Sequence, residues 1–99
     1  MQQIAGVLAQ VLRDLGLESE ILGWRAVKEW PEAVGPRIAQ RTRAVGFRQQ
    51  TLWVEVEGSA WLHELGFLKR DLLRQVNCRL GAEHVRQLQF IMARGGIQR

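Results

Sequence analysis

Apolar residues recur at helical spacing in the N-terminal part of this chain. The first series consists of Ile4, Val7, Leu8, Val11, Leu12 and Leu15. Gly16 follows this series, as is typical of the end of a helix. A stripe of this kind could fill a groove on a partner, but packing against the chain's own domain is the favoured interpretation.

A second helical series begins near residue 20 and includes Trp24 and Trp30. Pro31 and Pro36 interrupt it, and proline breaks a helix beyond the first turn. The sequence therefore predicts two helices, at about residues 20–30 and 32–41. Both tryptophans lie on the apolar side of this series, so we expect them to be core residues.

Alternating apolar and polar residues over 44–57 predict a β-hairpin with one buried face. With Gln49-Gln50 as a two-residue turn, the opposed pairs are Arg48 with Thr51, Phe47 with Leu52 and Gly46 with Trp53. Trp53 would then cover Gly46. Tight turns favour Asn-Gly or Asp-Gly, so a wider loop is an alternative. Burial of Trp53 beneath the N-terminal helices is favoured over exposure on the outer face.

A long helix is predicted to start at Gly58-Ser59, with Ser59 as its N-cap, and to end at Gly81. Its buried stripe comprises Trp61, Leu65, Leu68, Leu72 and Val76. At about 100° per residue, the opposite face carries His63, Phe67, Arg70 and Arg74. An aromatic residue on a polar face suggests contact with another protein, although single exposed apolar residues are also common. These four residues are therefore the candidate partner-binding site.

The last patterned segment, Val85 to Met92, alternates like a strand and is expected to join the hairpin's sheet. The elements together predict one α+β domain over residues 1–93. It would contain N-terminal helices, a β-hairpin, a long helix and a third strand that completes a small three-stranded sheet. Residues 94–99 are expected to form a flexible tail.

Charge adds a candidate surface to this domain. The chain of 99 residues carries a net charge of +4, and residues 33–54 contain arginines but no acidic residue. The candidate nucleic-acid-binding residues are these four arginines: Arg37, Arg41, Arg43 and Arg48. Guanidinium groups bind phosphates through paired hydrogen bonds, although ordinary surface charge explains such a segment equally well. Residues 84–99 form a second positive segment, with Arg86, Arg94 and Arg99.

The inventory of reactive residues argues against catalysis. The chain has two serines, two histidines and one cysteine, and no phosphate-binding GxxxxGK[ST] or GxGxxG pattern. No nucleophile, base and stabilising group occur together, so we predict neither an enzyme nor a metal or cofactor site. A single cysteine excludes an internal disulfide. The N-terminal residues lack the basic flank of a signal peptide and are not expected to form one, and no stretch reaches the ~20 apolar residues of a membrane helix. A cytoplasmic location is expected.

The order of these elements resembles the DciA-type proteins, a bacterial family formerly known only as a domain of unknown function. The resemblance rests on WPEAVG at 30–35, TLWVEV at 51–56 and SAWLHEL at 59–65, and covers about residues 2–92. It implies a domain similar to a KH module that lacks the GxxG loop. It also implies a role in DNA replication, in which the protein binds the replicative helicase DnaB and helps to place it on single-stranded DNA without ATPase activity. The family usually has an Asp-Gly-like turn where this chain has Gln49-Gln50.

Two other functions are consistent with the same residues. The first is a domain that binds only proteins and touches no nucleic acid. The second is an RNA-binding factor that uses a KH-like sheet.

Overall fold

The computed structural model describes residues 2–94, which form helices on one side of a three-stranded sheet. The elements are α1 (Gln2–Asp14), α2 (Leu17–Val34), α3 (Pro36–Ala39), β1 (Thr42–Arg48), β2 (Thr51–Val56), α4 (Ser59–Leu80) and β3 (Gln87–Met92). This confirms the α+β class and the predicted hairpin, long helix and third strand. Of the predicted tail, only Arg94 belongs to the described residues.

The strand order is β1-β2-β3, with β1 antiparallel to β2 and β2 parallel to β3. The parallel pair is possible because α4 carries the chain back to the other end of the sheet. Gln49 and Gln50 have φ values of 52° and 63°, the left-handed conformation that a two-residue type I′ turn requires. The predicted turn and the pairing of Phe47 with Leu52 are therefore confirmed, although neither glutamine is a preferred turn residue.

The hydrophobic core lies between this sheet and helices α2 and α4. Leu52, Val54 and Val56 are fully buried, while the residues between them on β2 face the other side. The core is completed by residues of the predicted α4 stripe, by β3 and by Trp30. Trp30 also has its polar atom satisfied, because its indole Nε1 donates to the hydroxyl of Thr42 at 2.9 Å.

The predicted break at Pro31 is wrong, because α2 runs without interruption to Val34. Pro31 has no N–H, and a missing helical bond with the ring clash can cost about 3 kcal/mol. Burial of Ala26 and Trp30 against the core stabilises the helix around it. The helix ends instead at Gly35, whose φ of 88° favours glycine and whose N–H donates to the Pro31 carbonyl at 3.0 Å.

Helix α4 begins at the predicted position but with a different cap. The N-cap is Gly58, with φ 90° and ψ 150°, a backbone region that essentially only glycine occupies. Ser59, predicted as the N-cap, is the first helical residue. Glycine occupies the N-cap position because the chain must turn sharply out of β2, and serine could not adopt that backbone conformation without strain.

An ion network joins α2 to α4 on the surface. Glu29 accepts hydrogen bonds from Arg25 on its own helix and from Arg79 on α4, the second at 2.9 Å. The hydrogen bond from Arg25 is the main cause that lowers the pKa of Glu29. Partial burial of the carboxyl group raises this pKa, whereas the charges of Arg25 and Arg79 lower it further. The carboxylate form of Glu29 is thus the one that links the two helices.

The four residues of the predicted N-terminal stripe whose side chains the structure describes, Val7, Leu8, Val11 and Leu15, do not pack into the core. Helix α1 contacts only α2, and the described part of the molecule measures 50 × 24 × 22 Å. The exposed large apolar residues are Val7, Leu8 and Val11 of α1, Leu15 directly after it, and Leu17, Ile21 and Trp24 of α2. We call these seven residues together the N-terminal apolar strip. Helix α1 thus packs on α2 but leaves these four apolar residues of the predicted stripe exposed. The expectation that Trp24 is a core residue was wrong, since Trp24 is 57% exposed. No helix in residues 2–94 combines the length and apolar character needed to cross a membrane.

Candidate nucleic-acid and partner interface

The four arginines predicted to bind nucleic acid lie along one edge of the molecule. Arg37 is in α3, Arg41 lies between α3 and β1, and Arg43 and Arg48 are in the edge strand β1. All four side chains are exposed. Their assignment to nucleic acid stays a prediction.

Ion pairs compensate most of the charge of these four arginines, which we call the arginine block. Three of its members face carboxylates, in the pairs Arg37–Glu64 at 3.4 Å, Arg41–Glu57 at 3.4 Å and Arg43–Glu55 at 2.7 Å. Arg48 forms no ion pair with any residue between 2 and 94. Exposed pairs of this kind contribute little to stability, but they reduce the positive potential that a phosphate would meet.

The predicted partner-binding residues do share one exposed face of α4. His63 and Phe67 are one helical turn apart, and their rings meet edge to face with centroids 5.0 Å apart. Phe67 is 77% exposed. Arg70 and Arg74 continue the same face toward the C-terminal end of the helix, where Arg74 lies 3.7 Å from Asp71. The role of this face in partner binding stays a prediction.

A groove at that end of α4 brings Arg70 and Arg74 together with Arg86, which precedes β3. We call it the arginine groove; its volume is about 800 Å³. Its lining also includes one acidic residue, Glu83. Within residues 2–94, neither Arg70 nor Arg86 is ion-paired. The groove therefore presents arginine side chains that remain available to an anion such as a phosphate.

Hydrogen bonds to the backbone of Val85 and Arg86 fix the position of Arg86 in this groove. The side chain of Asn77 on α4 binds the backbone of Val85 twice: its Nδ2 donates to the carbonyl at 2.8 Å, and its Oδ1 accepts from the N–H at 2.9 Å. The N–H of Arg86 donates to the carbonyl of Gln50 in the hairpin turn, also at 2.8 Å. The segment before β3 is thus held between α4 and the hairpin.

Sequence reasoning missed Arg86 as a site residue because it lies far along the chain from both candidate clusters. A signal existed, since Arg86 belongs to the second positive segment. The pairing of that segment with α4 depends on Asn77, whose two contacts with Val85 cannot be inferred from residue spacing.

Trp53 occupies the outer sheet face, the side of the sheet turned away from α2 and α4. Its neighbours Leu52 and Val54 point into the core, whereas Trp53 is half-buried and lies outside the buried cluster. The favoured expectation, burial under the N-terminal helices, was wrong. The period-two alternation of β2 already placed Trp53 opposite to the core residues, and the helices pack only on the core side.

Comparisons with known proteins found sequence similarity over most of this chain. Residues 3–90 match the model of the family described as "Dna[CI] antecedent, DciA". A UPF0232 protein of Corynebacterium glutamicum (strain R) is 25% identical over 89 residues, which cover 90% of this chain and 50% of the relative. The chain thus spans about half the length of that relative.

Proposed function

Because this chain belongs to the DciA family, we propose that it is a non-enzymatic replication factor that binds both the helicase DnaB and single-stranded DNA. The match over residues 3–90 is the observation that carries the proposal, since the family supports a role associated with helicase loading. A factor of this kind needs a surface for the helicase and a surface for DNA.

The arginine groove supports the DNA half of the proposal. Arg70 and Arg86 are not engaged by carboxylates of the described residues, in contrast to Arg37, Arg41 and Arg43. A phosphate entering the groove would displace water and counterions from these guanidinium groups without first breaking an ion pair. Single strands carry a phosphate at every nucleotide, so adjacent arginines can act on successive phosphates.

Fluorescence anisotropy of a labelled oligothymidylate, titrated with the protein over a range of salt concentrations, tests the proposed binding of single-stranded DNA. Binding should weaken with salt, and each phosphate contact adds about 0.7 to the slope of log K against log salt on a single strand. Arg70→Ala and Arg86→Ala should each lower both the affinity and the slope. Arg37→Ala is the matched control, because it removes an arginine that is already paired with Glu64.

Two results would count against this DNA site. Binding that is absent or independent of salt would refute DNA affinity itself. A loss confined to Arg37→Ala and the other arginines of the arginine block would assign binding to that block instead of the groove. Competition with an RNA oligonucleotide of the same length tests the RNA-binding alternative, because an RNA-binding factor would prefer that competitor.

The N-terminal apolar strip supports the helicase half. Monomeric proteins rarely expose apolar patches of more than a few hundred Å², and larger ones mark interaction surfaces. The strip contains seven large apolar residues that are each at least 39% exposed. We therefore assign the helicase contact to this strip, with the α4 face around Phe67 as a second contact to be tested.

Co-purification of the chain with the replicative helicase DnaB tests this assignment. Leu8→Glu places a charge within the strip at a position that is 57% exposed, so the fold should be retained while helicase capture is lost. Phe67→Ala tests the α4 face in the same assay. Normal capture of DnaB by the Leu8→Glu variant would refute the assignment of the helicase contact to the strip. Failure of the unaltered chain to capture DnaB would refute the proposal that it binds the helicase.

A domain that binds only proteins is the second candidate function. The three ion pairs of the arginine block favour it, because they leave less positive charge for nucleic acid. Under this function, DnaB capture would persist while the oligonucleotide titration showed no binding.

A further inference from the structure

The outer sheet face is a regular grid with Trp53 at its centre. Taken across the three strands, its rows are Arg48–Thr51–Gln87, Gly46–Trp53–Gln89 and Arg43–Glu55–Ile91. None of these nine residues belongs to the buried core. An aromatic ring therefore lies in the middle of a face that no described helix covers.

An open notch adjoins this ring on β1. The sequence predicts that Trp53 covers Gly46, but a Cβ atom placed on Gly46 would meet no heavy atom within 4 Å. The indole therefore leaves the space above Gly46 free. Because β1 is an edge strand, the notch is open toward solvent at the side as well as above.

The charges around the notch favour an anionic ligand. Glu55 is the one carboxylate in the grid, and Arg43 holds it at 2.7 Å. Arg48 has no ion pair within residues 2–94 and lies one row from Trp53, toward the hairpin turn. The part of the face nearest the turn is thus positive, and its polar neighbours Thr51 and Gln87 are uncharged.

We propose that the notch between Trp53 and Gly46 holds one unpaired base of single-stranded DNA, stacked on the indole, with Arg48 bound to an adjacent phosphate. An aromatic platform beside an arginine is a common means of holding single strands, and it tolerates any base because every base has a π-face. This inference rests on the DNA affinity proposed above and adds a contact with a base to the phosphate contacts of the arginine groove.

Two substitutions remove the stacking site in different ways. Trp53→Ala deletes the platform, and Gly46→Val fills the notch while leaving the indole in place. Valine suits a strand better than glycine, and the space above Gly46 is empty, so Gly46→Val should not lower stability. Each variant should bind oligothymidylate roughly five- to a hundredfold more weakly, the loss typical of one stacked base.

The control ligand is an abasic oligonucleotide with the same length and charge. We expect the unaltered chain to bind it more weakly than oligothymidylate, and both variants to bind it as the unaltered chain does. Met92→Ala is the control for the loss of an exposed apolar side chain from the sheet, since Met92 lies on β3 outside the three rows around Trp53, and it should leave both affinities unchanged.

Three outcomes would overturn the inference alone. Unchanged affinity of both variants for oligothymidylate would show that no base stacks in the notch. Equal losses for the abasic and normal strands would show that the variants act on charge or folding. Equal affinity of the unaltered chain for the two strands would exclude base contacts while the arginine groove still bound DNA. Absence of binding to either strand would instead refute the proposed DNA affinity together with the inference.

Discussion

Gly23 in α2 is the position where a single methyl group should have the largest effect on packing. It is buried against the ring of Phe47, which β1 presents to the helix. A Cβ atom at Gly23 would overlap Cγ and Cδ2 of this ring and lie 2.6 Å from Cε2. On its other side the ring stacks on His84, with centroids 5.2 Å apart. Phe47 therefore has little room to move away.

The expected change in the free energy of unfolding combines two opposing effects. Overpacking a core usually costs about 1–3 kcal/mol. The overlap at Gly23 involves Cγ, the anchored end of the phenylalanine ring, so we take the upper part of this range. Alanine gains about 1 kcal/mol over glycine in a helix interior. Gly23→Ala should therefore destabilise the protein by about 2 kcal/mol.

Urea unfolding followed by tryptophan fluorescence measures this difference. With a slope of about 1–2 kcal/mol per M for a domain of this size, the midpoint should fall by about 1–2 M. Gly66→Ala is the matched control, because Gly66 is also helical but is exposed, and a Cβ atom there meets nothing within 4 Å. That variant should be more stable by about 0.5–1 kcal/mol.

A double-mutant cycle separates the packing effect from other causes. In a Phe47→Ala background the Cγ, Cδ2 and Cε2 atoms that the new Cβ would overlap are absent, so most of the cost of Gly23→Ala should disappear. If Gly23→Ala alone is as stable as the unaltered chain, or if its cost persists without the Phe47 ring, the reasoning about this contact is refuted.

Two further substitutions test local features of the fold. Gln50→Gly should stabilise the protein by about 0.5–1 kcal/mol in urea unfolding, because Gln50 has a φ of 63° and glycine adopts it without strain; a loss of stability would contradict the turn geometry. Glu29→Gln should lower stability at pH 7, because the lowered pKa means that the folded state favours the Glu29 carboxylate. The contribution of Glu29 is present above its ordinary pKa of 4.5 and is lost as the pH falls through its lower folded-state pKa. Urea midpoints of the two proteins should therefore converge in acid, and a constant difference would refute this origin.

The hairpin shows how much of the fold short-range pattern could predict. Its register follows from alternation and from a two-residue turn, both of which involve neighbours in sequence. The shift between Ala44 and Gly46 was not predictable in the same way. It inserts Val45 as an extra residue, and Val45 is exposed while Ala44 packs against the core. A bulge is decided by how the strand fits the helix above it, which residue spacing does not record.

The candidate sites differ in the same way, because one depends on local helix geometry and the other depends on long-range contacts. Phe67 and Arg70 could be placed on one exposed helix face because helical geometry alone relates them. The arginine groove required Arg86 to meet α4, and this depends on the long-range contacts of Asn77 with Val85. The ion pairing of Arg43 likewise depends on which residue of β2 lies opposite.

The sequence by itself determined the α+β class, the hairpin register, the buried stripe of α4 and the family, because these depend on periodicity and on motif order. The tertiary structure alone decided which apolar residues remain exposed and which arginines remain unpaired. Trp24 and Trp30 lie on the same helix with similar apolar surroundings in the sequence, yet Trp30 is buried and Trp24 is exposed. The difference arises because the core lies against the face of α2 that carries Gly23, Ala26 and Trp30, and Trp24 lies about 120° around the helix from Trp30. Residue spacing alone does not specify which face of the helix the sheet covers.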